Sequence, residues 1–137
     1  MLRVVYFFAG ARRKSSMRGE LLKACAGTGV RVDLSEIDVL QGGDSHDLLR
    51  GSLQAYWLEK VRKGEVDAIL ASPPCCTFSR ARNSAGPGPR PMRSRSHPRG
   101  MPHLDGPSRA AARNANDLVD FTVRVVSEQL MTQDLRS

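Results

Sequence analysis

The 137 residues suffice for one domain with a modest core; 40% are hydrophobic but only 5% aromatic, so that core must rest on Leu, Val, Ile and Ala, with Tyr6, Phe7, Phe8, Trp57, Phe78 and Phe121 as scarce large fillers. No run of about 18 apolar residues is present, which excludes a membrane-spanning helix, and Met1-Leu2-Arg3 leads straight into a strand-like segment, leaving no room for a signal peptide. The formal net charge of +7 is unevenly placed along the chain and points to an anionic partner.

In chain order, residues 3–8, RVVYFF, are a β-branched and aromatic run closed by Ala9-Gly10, which predicts a buried strand. Residues 15–26 place Met17, Leu21, Leu22 and Cys25 at helical spacing behind a serine cap, with Gly27 and Gly29 as the stop. Residues 30–39 interleave Val30, Val32, Leu34 and Ile37 with polar residues and predict a second strand ending near Glu36 and Asp38. Residues 40–50 are turn-rich with a short apolar tail and leave room for a brief further strand. From Ser52 to Lys63, Leu53, Tyr56, Trp57 and Val61 fall on one helical face, and Gly64 closes it. Residues 66–72, VDAILAS, read as another buried strand. A stretch rich in Pro, Gly, Ser and Arg follows over 84–109, too long and irregular for an ordinary connection, and is therefore either a functional loop or a disordered one. A last amphipathic helix over about 108–130 carries Leu118, Val119, Phe121, Val125, Val126 and Leu130.

Strand, helix, strand, helix, strand is the order of an α/β fold, with right-handed crossovers joining three to four mainly parallel strands flanked by helices. The expectation is a partial Rossmann-like sheet in a single domain spanning 1–137. Ligands of such sheets sit beyond the carboxyl ends of the strands, so Phe8-Ala9-Gly10, Glu36 with Asp38, and Ser72-Pro73-Pro74-Cys75 are expected to converge on one crevice.

Residues 73–109 carry the charge: Arg80, Arg82, Arg90, Arg93, Arg95, Arg99 and Arg109 stand against Asp105 alone. The planar guanidinium suits phosphates and guanine edges better than an ammonium does, so nucleic acid is the first partner to consider; a solvated basic loop over 80–109 is the plainer alternative. Cys25, Cys75 and Cys76 are odd in number and unevenly spaced, which predicts reduced thiols in an intracellular, reducing compartment, nucleus or cytoplasm undetermined. Cys75 follows two prolines that fix their own φ angles and stiffen the chain just before the thiol. A thiol attacks as thiolate, and Arg80 and Arg82 are the nearby charges in sequence that would favour that form. A free cysteine at a strand end is more often a small buried apolar residue, so the functional reading needs the surrounding pattern.

That pattern, Pro73-Pro74-Cys75 followed by Thr77-Phe78-Ser79 at a strand end, resembles the catalytic motif of the cytosine-C5 DNA methyltransferases. The resemblance extends over about residues 2–83 and implies an S-adenosylmethionine-dependent methyltransferase sheet. By the same resemblance Phe8, Ala9 and Gly10 lie at the methionine half of the cofactor. Glu36, with Asp38 as second choice, holds the ribose hydroxyls; Asp47 and Leu48 meet the adenine; and Pro73, Pro74 and Cys75 form the catalytic turn. It implies attack of Cys75 on C6 of a cytosine displaced from its stack. Ser79, Arg80, Arg82, Arg93 and Arg95 are then the contacts to DNA phosphates, with binding that weakens steeply in salt.

Several positions depart from the family pattern. Ala11, Arg12 and Arg13 follow Gly10 where a second glycine is usual, and Cys76 replaces a glutamine. No acidic-asparagine-valine segment, later arginine motif or target-recognition region is present, so the resemblance implies an amino-terminal portion, incomplete for catalysis without a downstream segment or a partner. The alternative is a non-catalytic nucleic-acid-binding module that uses the arginine-rich loop. Other motifs compete less well. Cys75, Cys76, His97 and His103 lack the cysteine spacing of a zinc site. Ala26-Gly27-Thr28-Gly29 lacks the end of a phosphate loop and precedes a strand. His46 between Asp44 and Asp47 reads as a solvated loop histidine rather than a proton-transfer group.

Overall fold

A computed structural model describes residues 1–11, 13–14, 16–78 and 90–136. Three strands, β1 (Leu2–Phe7), β2 (Val32–Ile37) and β3 (Ala68–Ala71), form a parallel sheet in the order β2-β1-β3. The register pairs Val4 with Leu34 and with Ala68, and Phe7 with Ile37 and with Ala71. β1 and β3 coincide with the apolar runs at 3–8 and 66–72, and β2 with the interleaved segment at 30–39, where Leu34 and Ile37 are the buried residues; β3 is only half-buried. The helices are α1 (Met17–Cys25), a single turn α2 (Val39–Gly42), α3 (Gly51–Arg62) and α4 (Gly106–Asp134). This is a mixed α/β arrangement with an open three-stranded parallel sheet and flanking helices.

The described chain groups into two compact units, Met1–Ser72 with Phe121–Ser137, and Pro73–Asp120. In the first, Phe7 is fully buried and meets Trp57 and Phe121 edge-on, with ring centroids 5.5 and 5.3 Å away. Val5, Val61 and Val125 complete the most deeply buried set. These three aromatics are the large fillers of a core otherwise built of Val, Leu, Ile and Ala, as the sparse aromatic content requires. Gln129 donates to Val66 O at 3.0 Å and Gln133 to Asp67 O at 3.3 Å, which ties the end of α4 to the entry of β3.

Helix α1 starts at Ser16, whose hydroxyl accepts from Gly19 N at 3.2 Å, a side-chain cap of the kind anticipated. Residues 40–50 hold no strand: α2 is followed by a 3-10 turn over Gly43–His46. The physical cause is Asp38, which caps α2 through Leu40 N at 2.8 Å and turns the chain away from the sheet.

In the second unit, the short 3-10 turn Cys76–Phe78 and the segment 90–105 pack with the first half of α4. Asn116 Nδ2 donates to Arg99 O at 2.7 Å, and Arg99 makes two hydrogen bonds to Asp120 at 3.0 and 2.8 Å. The described part of the basic loop is therefore stitched to the helix.

Candidate functional site

The carboxyl ends of β1 and β2 form the candidate cofactor site in the first unit. Phe8 leaves β1 at φ 62°, and Gly10 follows at φ 76°. A left-handed phenylalanine is uncommon, costs of order 1 kcal/mol or more, and persists only where its surroundings enforce it. Here they do: Phe8 N donates to Ile37 O at 2.8 Å, and Gly10 N donates to Asp38 Oδ2 at 2.9 Å. Gln41 Nε2 closes the arrangement on Gly10 O at 2.8 Å. Gly10 is required by its backbone angle rather than by crowding, since a Cβ there would meet nothing within 4 Å.

Glu36 stands at the end of β2 with a side chain only 6% exposed, and its Oε1 accepts from Arg18 Nε at 2.8 Å. Arg18 also donates to Leu34 O at 2.9 Å, so a helix α1 guanidinium is braced against the strand. A burial this deep needs that partner, because an unpaired carboxylate would be strongly penalised. Glu36, Arg18, Leu40, Gln41 and His46 line one pocket of about 360 Å³. That volume is at the lower end of the range for small-molecule sites.

His46, read from sequence as a solvated loop residue, is half-buried and lines this pocket. Its Nδ1 lies 3.3 Å from Asp38 N and 3.2 Å from Asp38 O. A Cβ on Gly42 would overlap the His46 ring, so Gly42 is the residue that lets the imidazole fold back onto Asp38. The paired glycines at 42 and 43 were the local signal for such a close approach.

Other expected cofactor residues are placed differently. Asp38 is engaged as the cap of α2 and the acceptor from Gly10, which leaves Glu36 as the carboxylate facing the pocket. Asp47 and Leu48 are not among the residues lining it. Asp47 Oδ1 accepts from Leu49 N at 3.0 Å, and Leu48 is buried in the core at 3% exposure. An apolar residue next to an acidic one here serves the packing of the unit, and its side chain is closed to a ring from outside.

A cleft of about 370 Å³ lies toward the opposite ends of the strands, lined by Arg3, Asp33, Trp57, Lys60 and Glu65 among others. It is as large as the Glu36 pocket, but it sits at the amino ends, where sheets of this type do not carry their ligands.

In the second unit, Cys75 and Cys76 are exposed and outside any disulfide, and Pro74 is exposed beside them. The turn that follows buries Thr77 and leaves Phe78 partly exposed. Arg93, expected at a phosphate, is turned inward. Its guanidinium donates to Thr77 Oγ1 at 3.0 Å, Asn116 Oδ1 at 2.6 Å, Pro98 O at 2.7 Å and Ala112 O at 3.2 Å, and it lies 3.6 Å from the centroid of the Phe78 ring. Desolvation, and then the neighbouring charge of Arg99, lower its pKa. Arg93 thus holds the thiol-bearing turn to α4, a task that no local sequence signal announces. Arg95 is exposed. Ser79, Arg80 and Arg82 lie outside the described residues.

Comparison with known proteins adds no relative: no family model matches the chain, and neither a curated protein nor a solved structure matches it.

Proposed function

We propose that the chain is an S-adenosylmethionine-dependent methyltransferase-like protein of the cytosine-C5 DNA class, incomplete for turnover by itself. The observation that carries this reading is the buried Glu36 carboxylate at the end of β2, facing a 360 Å³ pocket whose lining residue Gln41 is hydrogen-bonded to Gly10 O in the left-handed turn after β1. A carboxylate at that place in a parallel α/β sheet accepts hydrogen bonds from the vicinal hydroxyls of a ribose. The residues present fit a nucleoside: a carboxylate for the diol, the amide of Gln41 and imidazole of His46 as polar contacts, and the exposed side chain of Leu40 as an apolar wall. The Arg18 guanidinium, bonded to the same carboxylate, must share it or swing aside when a diol arrives.

When bound, the cofactor supplies an electrophilic methyl group on its sulfonium. The chain supplies the nucleophile. The thiolate of Cys75 would add to C6 of the cytosine, making C5 a carbon nucleophile that takes the methyl group; removal of the C5 proton by solvent or a general base would then expel the Cys75 thiolate and restore the ring. The exposure of Cys75 is in keeping with that task, as is the clamp that Arg93 places on Thr77 and Phe78 just after it. The groups that assist at the pyrimidine come from a downstream segment or a partner. DNA is held through arginines of the loop, of which Arg95 is an exposed one among the described residues.

Calorimetric titration with S-adenosylmethionine tests this reading. Saturable heat in the wild type and its loss in Glu36→Ala are expected. No heat at millimolar cofactor, or equal heat in both proteins, overturns it. A non-catalytic nucleic-acid-binding module is the second reading, favoured by the way α4 stitches the basic segment into place; it predicts DNA binding that survives Cys75→Ser and ignores the cofactor.

A further inference from the structure

We propose that Arg109 and Arg113, on the first half of α4, form with Arg99 a cradle for the phosphodiester backbone of DNA at the point where the basic segment meets the helix. This rests on the nucleic-acid part of the proposed function and adds to it the element that carries the contact.

Arg99, Arg109 and Arg113 rim one cleft of about 220 Å³ whose walls are Gly100, Met101, Pro102, Leu104 and Ala112. Leu104 and Ala112 are buried, so the floor is apolar and fixed. Gly100, at φ 131°, brings the loop against the helix: a Cβ there would stand 3.5 Å from Ala112 Cβ and 3.6 Å from Leu104 Cδ1. Hydrogen bonds from Met101 N to Met92 O at 2.8 Å and from Asn116 Nδ2 to Arg99 O at 2.7 Å lock that wall. The backbone that carries the guanidinia is therefore a fixed frame, so a ligand need order only the side chains themselves.

Electrostatics then favour an anion. Elsewhere in the chain Arg3, Arg18 and Arg62 are paired with Asp67, Glu36 and Glu128, and Arg99 with Asp120. Among the described residues Arg109 and Arg113 make no ion pair, and both are exposed. They also sit in the first two turns of a 29-residue helix. The dipole is positive at that end, so cations there oppose helix stability and anions are welcome. Among the described residues Asp105 and Asp117 are the nearby carboxylates that make no ion pair with an arginine, and Asp117 faces the adjoining cleft of about 320 Å³ with Asp120. Arg109 and Arg113 are one turn apart, about 5–6 Å at the side-chain roots, a spacing that lets two guanidinia take neighbouring phosphates of one strand. Guanidinium forks suit phosphate oxygens in a way that a single ammonium does not.

The test is fluorescence anisotropy of the full chain with a labelled mixed-sequence DNA duplex over a series of salt concentrations. Each phosphate contact contributes close to one unit to the slope of log affinity against log salt. The double variant Arg109→Ala/Arg113→Ala is expected to bind more weakly at every salt concentration, with a slope shallower than wild type by about two. Arg109→Lys/Arg113→Lys is expected to keep most of the slope, and Arg124→Ala, an exposed arginine further along α4, to leave it nearly unchanged. An unchanged slope in the double alanine variant, with wild type binding, overturns this inference and leaves the proposed function standing. So does a slope loss in Arg124→Ala as large as that of the pair. A wild type that does not bind DNA at all overturns both. Circular dichroism of each variant confirms that the helix is intact.

Discussion

Individual residues in this chain do work that their neighbours in sequence do not disclose. Arg93 belongs to a segment whose composition reads as a phosphate-binding loop, yet its guanidinium is spent on Thr77, Asn116, Pro98 and Ala112 and on the face of Phe78. The partners lie up to 23 residues away, so no window of sequence could reveal them. Truncation leaves several acceptors facing a void, and Arg93→Ala is expected to lower stability by about 1–3 kcal/mol, read as a shift in the urea midpoint. Arg93→Lys recovers little of it, because an ammonium cannot offer the same fork while lying flat on a ring. A full recovery by lysine contradicts the clamp. Asp67 gives a second residue-scale expectation. Hydrogen bonds from the Arg3 side chain and backbone hold its carboxyl at about 2, below its ordinary 3.8. A carboxyl depressed on folding adds stability that is fully present above its unfolded value, about 3.9, and is lost as pH falls toward 2. Asp67→Asn is therefore expected to flatten the fall in stability between about pH 4 and 2, followed by thermal melts across that range; parallel curves for variant and wild type contradict it.

At the scale of elements, the three strands, α1, α3 and α4 were legible because burial of apolar runs and helical spacing are local properties. The segment 40–50 was not. Its form depends on Asp38 capping α2, on the two contacts of His46 with the Asp38 backbone and on the absence of a side chain at Gly42. Those interactions join residues eight apart around a turn, where periodicity carries no information. Glu36 was legible as a strand-end acid, but its burial and its bond to Arg18 were not, since α1 and β2 meet only in the fold. That Leu48 is packed into the core was not legible either, because an apolar residue beside an acid reads equally well as packing or as a contact. Gly42→Ala tests this element directly. The added methyl must displace the His46 ring, an overpacking change that typically costs about 1–3 kcal/mol, and because His46 lines the Glu36 pocket, cofactor affinity is expected to fall with stability. A variant as stable as wild type, binding equally well, contradicts the arrangement.

For the molecule as a whole, the pocket at the carboxyl ends of β1 and β2, proposed for the cofactor, and the cleft on α4, proposed for DNA, belong to different compact units. The central claim concerns the first: Glu36 reads a ribose. The most direct measurement compares the affinities of S-adenosylmethionine and its 2′,3′-dideoxyribose analogue in wild type and in Glu36→Gln. In wild type the loss of the hydroxyls is expected to weaken binding at least tenfold, as expected for unmaking hydrogen bonds to a charged group. In Glu36→Gln the two ligands are expected to bind nearly alike. Equal discrimination between the ligands in both proteins would place the hydroxyls elsewhere and contradict the account.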